Sequence, residues 1–152
     1  MSQKRWDQYY LNISKVVASN SRCLSRQVGA ILVFDKVVVA TGYNGPPRGV
    51  SHCLGDICPR RQLGFSSGEG LHLCPAAHAE TNCIYNAARV GVQTLDTTMY
   101  MTCGVPCKEC LKGIINAGIK ELVCTSLDHY DLLSGLLLRD SSLVIRTYET
   151  ED

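Results

Sequence analysis

Trp6, Tyr10, Ile13 and Val17 recur at spacings of three and four, which aligns one apolar face of a helix over about 3–19. Ser2 stands where an N-cap belongs. Residues 28–34 are an apolar run of strand length, Asp35-Lys36 is a tight two-residue turn, and 37–41 is the return strand. From 43 to 75 the texture changes. Gly, Pro, Ser and Cys dominate there, and apolar residues are scattered. A loop of about 30 residues in a small domain needs something to hold it. Regular patterning resumes at His78. The stretch HAETNCIYNAARVG reads as a helix ended by Gly91, and 97–102 as an alternating strand. Pro106 then opens a helix, CKECLKGIINAG, at its first position, with Gly118 near its end. A short strand over 122–125, a helix over 131–139 and a strand over 143–148 follow. Alternation in the second half predicts an α/β fold with a mostly parallel sheet there and helices on both faces.

The chain has 152 residues and is 45% hydrophobic, enough for one domain over 1–152 with a real core. The Cys/His-rich insertion at about 43–75 sits inside it. A formal charge of +1 excludes a polybasic arm or an acidic tail as the main device. The first ten residues carry no apolar export segment, and no apolar run approaches the roughly 18 residues of a membrane span. The expectation is a cytoplasmic protein with neither membrane nor nucleic acid as partner. Nine cysteines change the picture. In a reducing compartment they stay free thiols unless something binds them.

Two short motifs carry candidate chemistry. One is His78-Ala79-Glu80, the other Pro106-Cys107-Lys108-Glu109-Cys110, each at a predicted helix N-terminus. Cys107 and Cys110 share a helix face, and the positive end of the helix favours their thiolates. With His78 they make three ligands for zinc and leave a fourth position to water, whose pKa falls to about 7. Glu80 is placed to shuttle protons. A lone Cys-x-x-Cys also fits a redox pair or half a zinc knuckle. The two motifs in this order, each opening a helix with a strand between, are the signature of zinc nucleobase deaminases. A purely structural zinc is the plainer alternative.

At these residues the chain resembles the cytidine deaminase superfamily, and within it the deoxycytidylate (dCMP) deaminases. The segments that carry the resemblance are SRCLSRQVGAILV at 21–33, TGYNGPPRGVSHC at 41–53, HAETNCIYNAARVGV at 78–92 and MYMTCGVPCKECLKGIINAGIKELV at 99–123. The resemblance implies a three-layer α/β/α cytidine-deaminase-like fold around a mixed five-stranded sheet. It implies a zinc-dependent hydrolase that converts dCMP to dUMP and ammonia, supplying dUMP for thymidylate synthesis. His78, Cys107 and Cys110 become the zinc ligands, Glu80 the proton shuttle, and Asn44 a contact to the sugar hydroxyl. Ala79 joins the substrate contacts. The resemblance further implies a homo-oligomer, with a hexamer favoured, and dCTP and dTTP as effectors, magnesium accompanying the allosteric nucleotide.

Other residues are read more openly. Gly42 and Gly45 would let the backbone bend around Asn44, yet Asn-Gly is also an ordinary turn pair. The 5′-phosphate needs a cation, for which Arg22 and Arg26 are the candidates, Arg48 standing nearby; each also fits a solvated surface arginine. His129 and Tyr130 follow the fourth strand, where family members carry residues near the phosphate. Cys23, Cys53, Cys58 and Cys74 are not needed for catalysis. They would hold a second, structural zinc that orders the long loop, with His52 or His72 as alternates, or else remain free thiols. Cys83, Cys103 and Cys124 read as core residues. Rival activities are a deaminase acting on another cytosine nucleotide or nucleoside, a tRNA adenosine deaminase, and a non-catalytic zinc module. The tRNA reading needs a basic surface, whereas 139–152 sets two arginines against four carboxylates.

Overall fold

The computed structural model describes residues 2–53, 58–66, 68–129 and 131–150. Helix α1 (Gln3–Ala18) buries Asp7, Tyr10, Leu11, Ser14 and Ala18, so its buried face is centred one residue on from the predicted one, and Trp6, Ile13 and Val17 pack half-buried on its flank. Ser2 is its N-cap residue, but the Ser2 side chain makes no capping hydrogen bond. Strands β1 (Gly29–Phe34) and β2 (Val37–Tyr43) form an antiparallel hairpin. Its turn residues Asp35 and Lys36 have φ of 48° and 64°, the left-handed pair whose twist suits a two-residue hairpin.

The 43–75 segment is not wholly loop. It contains the short helix α2 (Pro59–Gln62) and one 3-10 turn (Leu71–Leu73). An amphipathic period cannot announce elements of three or four residues, which depend on contacts to the rest of the chain. Helix α3 (Ala79–Val90) follows, capped by His78 and ended by Gly91 at φ 77°. Strand β3 (Thr98–Met101) leads to α4 (Lys108–Asn116). This helix starts two residues later than Pro106 suggested. Cys107 is its N-cap, with extended backbone at ψ 161°, so the proline ends the approach to the helix and does not begin it. Strand β4 (Glu121–Cys124), helix α5 (Leu132–Asp140) and strand β5 (Val144–Thr147) complete the order. The Asp131 side chain caps α5 by accepting the Ser134 N–H.

The sheet order is β2-β1-β3-β4-β5. Strand β1 pairs antiparallel with β2 and β3, while β3, β4 and β5 are parallel. The expected mixed five-stranded sheet is therefore present. One face packs on α1, with Tyr10 against Ile31, Val33, Tyr100 and Val123. The other packs on α3 and α4, with Cys83, Ala87, Leu111 and Ile114 against Leu32, Met99, Met101 and Leu122. A Cβ on Gly29 would collide with the Ser14 carbonyl of α1, and one on Gly42 with the Cys83 nitrogen of α3. Gly42 is thus needed for close helix–strand approach. It does not bend the backbone around Asn44, since neither Gly42 nor Gly45 has a positive φ.

One ion pair ties the two ends of the chain together. Asp7 on α1 is fully buried and accepts from both Nη atoms of Arg146 at 2.6 and 3.0 Å, from Gln3 at 2.7 Å and from the Glu149 N–H at 2.8 Å. Burial alone would raise its carboxyl; Arg146, Glu149 and Gln3 outweigh burial and hold it below the ordinary aspartate value. A carboxyl lowered on folding adds stability above its unfolded pKa of about 3.9, and that stability is lost as pH falls through the folded value. Arg146→Leu leaves Asp7 buried and unpaired, so a loss of about 3–5 kcal/mol at pH 7 is expected. Urea unfolding at pH 7 and pH 3 checks this: the gap between wild type and variant should shrink at the lower pH.

Candidate active site

His78 caps α3 and Cys107 caps α4, yet neither side chain makes a capping hydrogen bond. They turn toward each other. Nδ1 of His78 lies 3.5 Å from Sγ of Cys107 and 3.2 Å from Sγ of Cys110, which is buried one turn into α4. The three ligand atoms lie within 4.8 Å of one another, and among the described residues no other group of three or more His, Cys, Asp or Glu does so. A tetrahedral zinc with Zn–S of about 2.3 Å and Zn–N of about 2.0–2.1 Å places nitrogen and sulfur about 3.5 Å apart. The observed separations fit that geometry, and one imidazole with two sulfurs suits zinc better than a hard, oxygen-seeking cation.

The local charges agree. The Cys107 thiol is pushed down to about 4, first by its hydrogen bond with Cys110 and then by His78, against the effect of burial. Cys110 is pushed up, by Cys107 and then by burial. His78 is raised, first through its hydrogen bond with Cys107. A thiolate beside an imidazole at two converging helix N-termini is a cation-ready arrangement. Glu80, in the first turn of α3, is 4% exposed, and burial pushes its carboxyl up. It does not belong to the close group of three. Its Oε1 instead accepts a long contact from the Cys103 thiol at 3.7 Å. A buried carboxyl whose pKa is displaced upward beside a metal-ready trio is suited to carrying protons. A cleft of about 470 Å³ opens over His78, Glu80 and Cys107 and runs on past Asn44, Leu71 and Arg60.

Comparison with known proteins gives this geometry a family. Residues 4–126 match the cytidine and deoxycytidylate deaminase zinc-binding region. The chain belongs to the cytidine and deoxycytidylate deaminase family. Within it, the deoxycytidylate deaminase of Mycobacterium phage D29 is 38% identical over 128 residues, covering 81% of this chain and 96% of its own. That of Saccharomyces cerevisiae is 36% identical over 143 residues, covering 94% of this chain and 45% of its own. The chain thus spans less than half the length of that yeast relative. Among solved structures, the dCMP deaminase of cyanophage S-TIM5, in complex with dCMP and dUMP, has the same fold, with a TM-score of 0.78 and 22% identity. The alignment covers 97% of this chain and 99% of that one.

The other candidate residues of this deaminase-family chain fall in different places. Asn44 lines the cleft, but its amide is partly engaged: Oδ1 accepts the Val28 N–H at 2.8 Å and Nδ2 donates to the Arg26 carbonyl at 2.9 Å. Ala79 and Arg26 line the cleft, as does His129; Arg22 is exposed and outside the lining. Arg48 donates to the Asn86 side chain. Tyr130 lies outside the described residues. Cys23 and Cys74 reach the cleft wall. The Cys53 thiol is raised by burial and then by Cys58, Cys74 and Cys23, so the four cysteines are neighbours, though more loosely set than the trio. His72 is exposed and stacks edge-on with Phe65, and His52 lies beside Gly45. Burial raises Cys83 and Cys124 to about 12 and raises Cys103 as well, the behaviour of small core residues.

Two residues of the site were not read from the sequence. The Asn82 amide donates to the carbonyls of Tyr43, Gly45 and Ala77 at 2.9, 3.2 and 3.3 Å. With the bridge between Gly45 and Ala77, it joins the Asn44 loop to the approach of α3. Its position four residues after His78 was the available signal, because i and i+4 share a helix face. Arg60 is the other. Nothing in the pattern of 43–75 separates it from neighbouring surface charges.

Proposed function

We propose that this chain is a single zinc-dependent hydrolase domain that deaminates dCMP to dUMP and ammonia. The observation that carries the reading is the convergence of His78, Cys107 and Cys110 beside the buried Glu80, with His78, Cys107 and Glu80 lining one cleft. The deoxycytidylate deaminases among its relatives supply the substrate class. His78, Cys107 and Cys110 would hold a zinc ion, which would supply an acidified water as nucleophile at neutral pH. Glu80 carries the protons. Its carboxyl protonates N3 of the cytosine ring, which makes C4 electrophilic. It then takes the proton released from water and passes it to the 4-amino nitrogen; ammonia leaves, and the C4 hydroxyl returns its proton to Glu80, which gives the carbonyl of dUMP and restores the acid. Asn44, braced on Val28 and Arg26, keeps one amide hydrogen for the sugar hydroxyl, and Ala79 forms the adjoining wall. The low exposure of Glu80 limits bulk water around the proton path.

The same proposal includes a second zinc held by Cys23, Cys53, Cys58 and Cys74. Three of these cysteines fall in the apolar-poor segment 43–75, and Cys23 and Cys74 line the same cleft, which supports it. Metal analysis of the pure protein is expected to give about two zinc per chain; about one would remove the second site. The reading extends to a homo-oligomer, and to dCTP and dTTP as effectors with magnesium. Among the described residues no helix is long and apolar enough to cross a membrane.

A substrate panel of cytidine, deoxycytidine, CMP, dCMP and dCTP tests the function. Ammonia release is expected to be fastest with dCMP. A preference for an unphosphorylated nucleoside, or for dCTP, would reassign the substrate within the same chemistry.

A further inference from the structure

Arg60 is a buried cation, only 7% exposed, on the short helix that follows Cys58. Its Nε donates to the Glu69 carbonyl at 2.6 Å and its Nη2 to the Ser66 carbonyl at 3.2 Å. Both partners are neutral. Among the described residues no carboxylate forms an ion pair with it, and its Nη1 has no hydrogen-bond partner. A buried guanidinium bonded only to carbonyls keeps most of its charge uncompensated, the Cys58 thiol being the one anionic group the cluster offers it, and the penalty is relieved further when an anion arrives. The two carbonyls fix the plane of the guanidinium while leaving one edge open.

The position of the residue is informative. Arg60 lines the 470 Å³ cleft that contains His78 and Glu80, and also an adjoining cavity of about 170 Å³ shared with Ser25 and Arg61. Arg61 is committed to the Leu24 carbonyl at 2.7 Å. Arg26 reaches the cleft as well, but it is exposed, so water already solvates its charge.

We infer that Arg60 is a specificity-determining residue, whose open guanidinium edge receives the phosphate of the nucleotide and so separates dCMP from deoxycytidine. The inference rests on the dCMP reading above. Its competitor is a structural role. The Cys58 thiol is lowered by the backbone N–H groups of Arg61 and Arg60, against burial, and by the Arg60 charge. Arg60 could therefore serve only as the cation of the cysteine cluster. The two roles differ in which substrate they affect.

The test compares kcat/KM for dCMP and for deoxycytidine in the holoenzyme and in Arg60→Gln. One hydrogen bond to a charged group is worth roughly 10- to 100-fold in binding. The dCMP value is expected to fall by that factor, through KM, while deoxycytidine turnover and zinc content stay within about threefold. Equal losses on both substrates, loss of zinc, or no change with dCMP would overturn the inference. If Arg60→Gln does not fold, Arg60→Lys decides: it keeps a cation but not the planar fork. A selective loss on dCMP supports the phosphate role, and a parallel loss on both substrates overturns it. A wild-type enzyme without activity on dCMP would overturn the dCMP reading itself, and the inference with it.

Discussion

Glu80→Gln is expected to lower kcat for dCMP by about 100-fold or more while zinc content stays that of the wild type. Glutamine keeps the shape of the side chain and its place among buried neighbours, but it cannot take up and release a proton. The buried position makes the effect separable from folding. Burial raises the Glu80 carboxyl, so its stabilising contribution is present below the unfolded pKa and is lost as pH rises through the folded value. Glutamine fits the same buried space, so the melting temperature should stay close to that of the wild type. Loss of turnover with retained zinc and retained melting temperature identifies a group that touches reacting atoms. Near-normal turnover in the zinc-loaded variant would remove Glu80 from the mechanism.

Cys110→Ala is expected to abolish deamination and remove one zinc per chain. Two remaining ligands, His78 and Cys107, hold a divalent ion far less tightly than three in a fixed tetrahedral set. Cys110 is only 2% exposed, so truncation to alanine leaves a cavity of about one sulfur atom. Circular dichroism should show native helix content, because α4 keeps its apolar face against the sheet. Metal analysis separates the two proposed sites: the count should fall from about two to about one. The companion variant Cys58→Ser should make a similar change in the count without removing the catalytic ion. A Cys110→Ala protein with full zinc content would show that the trio does not hold it.

Much of this arrangement is legible in the chain because long elements repeat their signals. Helix α1 has four apolar landmarks on one face, the hairpin has a polar pair between two apolar runs, and α3 ends at a glycine in the left-handed region. The site was legible for another reason: His78 and Cys107 each stand at a helix start, where side chains are held by backbone geometry. What was hidden depends on tertiary contact. Gly42 looked like a turn residue but serves the close approach of α3 to β2. Pro106 looked like the first helical residue, although the cap falls on Cys107. Helix α2 is four residues long, and Arg60 within it is held by carbonyls six and nine positions away. No local period encodes such contacts.

Anomalous diffraction at the zinc edge, from crystals of the zinc-loaded protein, tests the central assignment most directly. A peak is expected between Nδ1 of His78 and the Sγ atoms of Cys107 and Cys110, with solvent completing the coordination and Glu80 beside it. A fourth protein ligand on that ion, or no zinc between those three side chains, would contradict it.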